Sequence, residues 1–319
     1  MGVYLSHEHF LESFVMDHTA RKNTHANPIS AELRCTRSDT GLISLIPVRR
    51  DLKFDLPPDR VTDWHGGCVQ TTHLFNTISI ITPLAERYVI EGLHQFRNSI
   101  DDADLVEKID GLVAQEAIHT REHRRYNALL DQAGLPVEEV MRWWQTLFDV
   151  TRRTWVAPWF RLAAIMMLEH HTAAASSRLL KMPWFLEDSV EGYRELLTWH
   201  SLEEIEHKSV SFEAWEQVVK PGWRHYVYRT FTTLVISPPF WIAFYASLFR
   251  VLQMDKRSAK PLMGYWHLFM LMFGPRGLIT SNAWVWIRYF LPGYHPWKED
   301  NSEALACAMK ALVKRRTAR

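Results

Sequence analysis

An all-α fold is what this sequence predicts: a bundle of long helices with a small irregular or β arm before it and an apolar helical extension after it. Three observations carry that reading. Between residues 82 and 220, apolar side chains recur at helical spacing, and proline and glycine separate the segments. Two of those segments carry a glutamate three residues ahead of a histidine, Glu116/His119 and Glu204/His207. Beyond residue 222 hydrophobicity climbs, and residues 230–249 hold no charge.

Residues 1–80 read as the arm. Two short apolar alternations, at 42–48 and 52–56, suggest two short strands, the second closed by Pro57 and Pro58. Thr82 followed by Pro83 reads as an N-cap and a first-turn proline. Leu84, Tyr88, Ile90 and Leu93 then keep helical spacing, which predicts a first helix over 83–97. Asp101 and Asp102 open a second helix that runs to Gly134, with negative charge where the helix dipole favours it. Pro136 starts a third over 137–155, Pro158 a fourth to residue 180, and a fifth spans 187–219, stopped by Pro221 and Gly222. Residues 81–220 thus form the bundle, and 221–319 an extension packed on it. Within that extension, 230–249 is long enough to cross a hydrocarbon core, but Pro238 and Pro239 interrupt it. A membrane span, a hairpin touching a bilayer and burial against the bundle all remain open. Shorter apolar stretches follow at 262–273 and 278–287.

Composition excludes several classes. With 37 Lys+Arg against 36 Asp+Glu the net charge is +1, so no long-range field draws nucleic acid, and no nucleic-acid partner is expected. The one basic cluster is the short tail of Lys310, Lys314, Arg315, Arg316 and Arg319. Cysteines at 35, 68 and 307 form neither a CxxC pair nor an even framework, which speaks against a disulfide scaffold or a thiolate zinc site. The first residues show no basic region followed by an apolar run, so a cytoplasmic protein is expected, with membrane contact through 230–290 as the variant.

The chemistry lies in the bundle. A carboxylate and an imidazole three residues apart on a helix project from one face about a turn apart, and can grip the same metal ion. Glu116/His119 and Glu204/His207 do this on two helices. Glu86, between Leu84, Val89 and Ile90, and Glu169, at the end of the apolar run 162–168, offer single carboxylates from two more. An isolated buried carboxylate is too costly to leave uncompensated. The order Glu86, Glu116/His119, Glu169, Glu204/His207 is the pattern of dinuclear carboxylate sites in four-helix bundles.

Over residues 83–210 the chain resembles the ferritin-like diiron carboxylate superfamily. His200 stands one turn before Glu204, giving HxxxExxH, and an added histidine on this helix is similar to the p-aminobenzoate N-oxygenase-like branch, where it is a seventh ligand. The runs Gln115-Glu116-x-x-His119-x-x-x-His123, Glu169-His170-His171 and His200 to Lys208, with His295-Pro296-Trp297 near the end, also resemble a bacterial family described as predicted metal-dependent hydrolases. The resemblance implies metal ligands at Glu86, Glu116, His119, Glu169, His200, Glu204 and His207, with His123, His171 and Gln115 supporting them.

Four carboxylates neutralise two divalent ions, and the imidazoles suit iron, with manganese or zinc as substitutes. The leading expectation is a diiron enzyme that uses O2 to oxidise a small organic substrate by N-oxygenation, hydroxylation or desaturation, with an external electron donor such as a reductase. The alternative is that the same residues hold zinc or manganese and activate water for hydrolysis. An iron-binding or lipid-associated protein without enzymatic activity is a third class. Around the ligands, Glu203 and Glu206 are expected on the solvated side of their helix, and Arg49 and Arg50 in solvent. His170 and His171 compete for the surroundings of Glu169. Trp143, Trp144, Trp155, Trp159, Trp199 and Trp215 are expected in the bundle core, and His7, His9, His18 and His25 in a solvated arm. The apolar third can cover the bundle, line a substrate tunnel or form a homodimer interface.

Overall fold

A computed structural model describes residues 34–37, 43–66, 68–259, 262–301, 304–305 and 308–310. Two strands, β1 (Arg34–Arg37) and β2 (Ile43–Ile46), form an antiparallel hairpin in which Cys35 faces Leu45. Nine named helices follow among the described residues: α1 (Val69–Arg97), α2 (Ala103–Gln132), α3 (Val137–Thr151), α4 (Pro158–Lys181), α5 (Glu191–His207), α6 (Val210–Val219), α7 (Trp223–Met254), α8 (Leu262–Phe273) and α9 (Leu278–Tyr289). The described chain is an all-α helical bundle with one small hairpin.

Local sequence explains several boundaries. Asp102 caps α2, its carboxylate accepting from the backbone N–H groups of Asp104 (2.9 Å) and Leu105 (3.2 Å). Pro158 sits in the first turn of α4, where its missing N–H costs nothing. The bundle centre is made by α1 packed on α2 and α4 packed on α5, with α3, α6, α7, α8 and α9 laid around them. Leu93, Leu112, Ile165, Leu196 and Trp199 fill the space between these helices and are fully buried.

Five expectations are corrected. The first helix begins at Val69 and not at residue 83, so Pro83 lies inside it. Thr82 is no N-cap; its hydroxyl donates to the Ile78 carbonyl one turn back (2.9 Å). Proline lacks the N–H that would bind the Ser79 carbonyl, and Asn127 Nδ2 from α2 supplies the donor instead (2.9 Å). An external donor therefore lets a 29-residue helix run through the proline.

Residues 52–56 form no strand. Residues 47–57 instead make an irregular strap across α2 and α5. Gly111 of α2 and Gly192 of α5 admit it: a Cβ at Gly111 would stand 2.6 Å from the Pro47 carbonyl oxygen, and one at Gly192 1.6 Å from that of Asp55. The predicted fifth helix is two, α5 and α6, parted at Lys208 and Ser209. Of the tryptophans expected in the core, Trp144, Trp199 and Trp215 are fully buried, whereas Trp143 and Trp155 are exposed and Trp159 is half-buried, stacked on Tyr228.

The apolar extension packs one side against the bundle. Trp144 Nε1 donates to Ser247 of α7 (3.0 Å), and Arg250 of α7 binds Glu139 of α3 (2.9 Å). His7, His9, His18, His25, Cys307, Lys314, Arg315, Arg316 and Arg319 lie outside the described residues.

Candidate metal centre

Four helices bring four glutamates and two histidines to one buried point: Glu86 from α1, Glu116 and His119 from α2, Glu169 from α4, and Glu204 and His207 from α5. All six are buried. Because α1 starts at Val69, Glu86 sits past the middle of a long helix and not in a first turn, which is why packing covers it.

Among the buried side-chain atoms that find no hydrogen-bond partner are Glu86 Oε1, Glu116 Oε2, Glu169 Oε2, Glu204 Oε2, His119 Nδ1 and His207 Nδ1. Buried polar atoms are rarely left so, and six in one cluster need a common partner. Their spacing names its kind. His119 Nδ1 lies 3.7 Å from Glu86 Oε1, 3.4 Å from Glu116 Oε2 and 4.0 Å from Glu204 Oε1. His207 Nδ1 lies 3.4 Å from Glu116 Oε1 and 3.8 Å from Glu169 Oε2. These are long for hydrogen bonds. They match two donors held by one ion at about 2.1 Å each, which stand about 3–4 Å apart. Glu86, Glu116 and His119 place ligand atoms within 4.8 Å of one another, and so do Glu116, Glu204 and His207. The two triads share Glu116, whose two oxygens face different histidines. The residues present fit a pair of divalent ions.

Outside these atoms lies a network that the sequence reading assigned to solvent. Glu203 and Glu206 are fully buried, and Arg50 with them, because the strap lays Arg50 against the far face of α5. Arg50 Nη1 binds Glu203 Oε1 (3.1 Å) and Arg50 Nη2 binds Glu206 Oε1 (2.7 Å). Arg49, by contrast, stays exposed as expected. Glu203 accepts from Trp199 Nε1 (2.9 Å) and from His119 Nε2 (2.8 Å). Gln115 Nε2 donates to Glu206 Oε2 and to the Val48 carbonyl, both at 2.8 Å, so its Oε1 must accept from His207 Nε2 (2.7 Å). Each histidine thus has its outer nitrogen fixed as N–H, which turns Nδ1 toward the glutamates. Arg50 anchors both arrangements. One signal in the sequence pointed here: Trp199 and Leu202 stand one turn before Glu203 and Glu206 on the same side of the helix, giving both glutamates an apolar neighbour.

A second chain of bonds fixes His123 and His200. Asn127 Nδ2 donates to the Ser79 carbonyl, so Asn127 Oδ1 accepts the Ser79 hydroxyl proton (2.9 Å). The hydroxyl proton being used, His123 Nδ1 must donate to Ser79 Oγ (2.9 Å). Burial, then the positive character of His200 and His119, holds the His123 pKa well below its usual value, so the ring is neutral. Its Nε2 then accepts from His200 Nδ1 (2.9 Å). His200, also lowered by burial, is left with a lone pair on Nε2, 2.9 Å from Glu204 Oε1. Two lone pairs that close repel unless a proton or a cation joins them. His119, His200 and Glu204 form a third group within 4.8 Å.

Without a metal the cluster gathers protons. Burial, then the neighbouring Glu116, raises Glu86 well above the carboxylate range; burial, then Glu204, does the same to Glu169. Burial opposes charge on His119 and His207 too, but Glu116 overrides it and raises both.

His170 and His171 do not join the cluster. His170 Nδ1 bonds the Tyr294 hydroxyl (2.8 Å), and His171 Nδ1 donates to the Met167 carbonyl (2.8 Å) while its ring stacks on Trp286.

Compared with known proteins, residues 48–300 match one family model, described as predicted metal-dependent hydrolase. No curated protein and no solved structure matches the chain.

Proposed function

Since the chain belongs to the family of predicted metal-dependent hydrolases, we propose that it is an enzyme whose two divalent ions activate water to cleave a small organic substrate. The observation that carries this is the set of six unpartnered buried atoms on four helices, spaced as ligands of two ions around Glu116. Glu86, Glu116, His119, Glu169, Glu204 and His207 would hold the ions, with His200 as a seventh ligand. Bound there, the ions supply Lewis acidity and lower the pKa of water.

The chain's own groups do the rest. Glu203 and Gln115 hold the two imidazoles in the tautomer that ligates. Thr120 donates to Glu86 Oε2 (2.8 Å) and fixes that carboxylate. Ser79, His123 and His200 form a hydrogen-bonded chain from α1 that holds the His200 ring beside the Glu204 carboxylate. The strap, with Arg50 beneath it, keeps water from the outer side of α5.

A second reading is O2-dependent oxidation on two irons, as in the ferritin-like diiron enzymes the sequence resembles. The four carboxylates arrayed over four helices favour it. It would require an external electron donor.

Metal analysis and reaction conditions separate the two. Ester or amide cleavage by the zinc- or manganese-loaded chain without O2 supports hydrolysis. Turnover only with iron, a reductant and O2 supports oxidation. Unchanged metal stoichiometry in Glu204→Ala with His207→Ala would overturn the site itself.

A further inference from the structure

The helices after residue 222 carry an apolar surface that the bundle does not cover. Of the most apolar stretch of α7, only 22% is buried against the rest of the chain. Leu234, Ile242 and Phe249 of α7, Trp266 and Phe269 of α8 and Trp284 of α9 are all exposed, Ile242 to 71%. Monomeric soluble proteins rarely leave so many large apolar side chains in water, and such patches mark interaction surfaces.

Charge identifies the occupant. Residues 223–298 contain nine Lys and Arg and one acidic residue, Asp255, a formal charge of +8 that leaves −7 on the rest of the chain. The balanced total therefore conceals a polarised molecule. Arg224, Lys256 and Arg276 are exposed among the apolar side chains, whereas Arg257 and Asp255 pair with each other (2.8 Å) and Asp255 also meets His73 (3.1 Å). A second copy would bring like charge against like. An anionic bilayer offers opposite charge to the cations and hydrocarbon to the apolar side chains.

Geometry distinguishes lying on a membrane from crossing it. The covered side of α7 holds Arg229, Thr232, Thr233 and Ser247, with Arg229 Nη2 donating to the Leu291 carbonyl (2.9 Å). A spanning helix would have to strip those groups from the rest of the chain. Helices α8 and α9 have 12 residues each, about 18 Å, too short for a hydrocarbon core of about 30 Å.

We propose that the outer face of α7, α8 and α9 seats the protein on the surface of an anionic membrane, with the metal-binding bundle held on the aqueous side. The full chain is sedimented with vesicles of phosphatidylcholine alone or mixed with phosphatidylglycerol. It should pellet with the anionic vesicles and be released by salt. Arg224→Gln with Arg276→Gln should weaken that binding about thirtyfold. Ile242→Asp with Phe269→Asp should abolish it while far-ultraviolet dichroism and metal content stay unchanged, since both side chains are exposed. The proposal is overturned if the wild-type chain ignores both vesicles, or if the Asp variant binds as well. It is equally overturned if the wild type forms a dimer, unaffected by vesicles, that the Asp variant splits into monomers.

Discussion

His119 Nε2 donates to Glu203 Oε2 across 2.8 Å, and this bond joins the candidate metal site to the buried ion group beneath it. Glu203→Ala should weaken metal binding in the half of the site that holds His119 about 10–100-fold, the usual loss when a ligand's orienting partner is removed. Glu203→Gln keeps an oxygen that can accept from His119 and should lose less. Metal titration of the three proteins decides; equal affinities would mean that His119 needs no outer support.

Arg50 compensates two buried carboxylates, Glu203 and Glu206. Arg50→Met should lower the unfolding free energy by about 3–5 kcal/mol, because both charges are then left without a cation. Arg49→Met, one residue earlier but exposed, should change it by no more than about 0.5 kcal/mol. Denaturant unfolding of the metal-free proteins measures both.

The protons gathered in the cluster set the pH dependence of metal binding. Glu86, Glu169, His119 and His207 all have raised pKa values, so ions must displace protons from them. For the two glutamates, stability of the metal-free fold is full below the ordinary carboxylate range and is lost as pH rises through their raised values. The metal-loaded form does not share that loss. The rise in melting temperature on adding metal should therefore widen as pH increases, and loading in weak buffer should acidify the solution. A metal-induced rise that narrows toward high pH would contradict this.

Pro83 and Asn127 are coupled through the Ser79 carbonyl. Asn127→Ala alone should destabilise the fold by about 1–3 kcal/mol, since it leaves that carbonyl without a donor. In Pro83→Ala with Asn127→Ala, the restored N–H at position 83 can take the carbonyl, so the two effects should fall well short of additive. A double-mutant cycle by thermal unfolding tests it.

The sequence alone determined the two Glu/His pairs of the candidate site, because a helix repeats every 3.6 residues and puts Glu116 with His119, and Glu204 with His207, on common faces whatever the packing. It also determined the helical class, and most helix boundaries where proline, glycine or an aspartate cap marks them. The start of α1 escaped it. A proline after a threonine looks like a beginning unless one knows that Asn127, from another helix, supplies the missing donor. Tertiary structure alone decided the surroundings of the ligands. Glu203 and Glu206 have the same i,i+3 spacing as a solvated pair, and Arg50 lies more than 150 residues away in the chain. Burial and pairing depend on which segments cross in space, and helical periodicity carries no information about what lies against the opposite face.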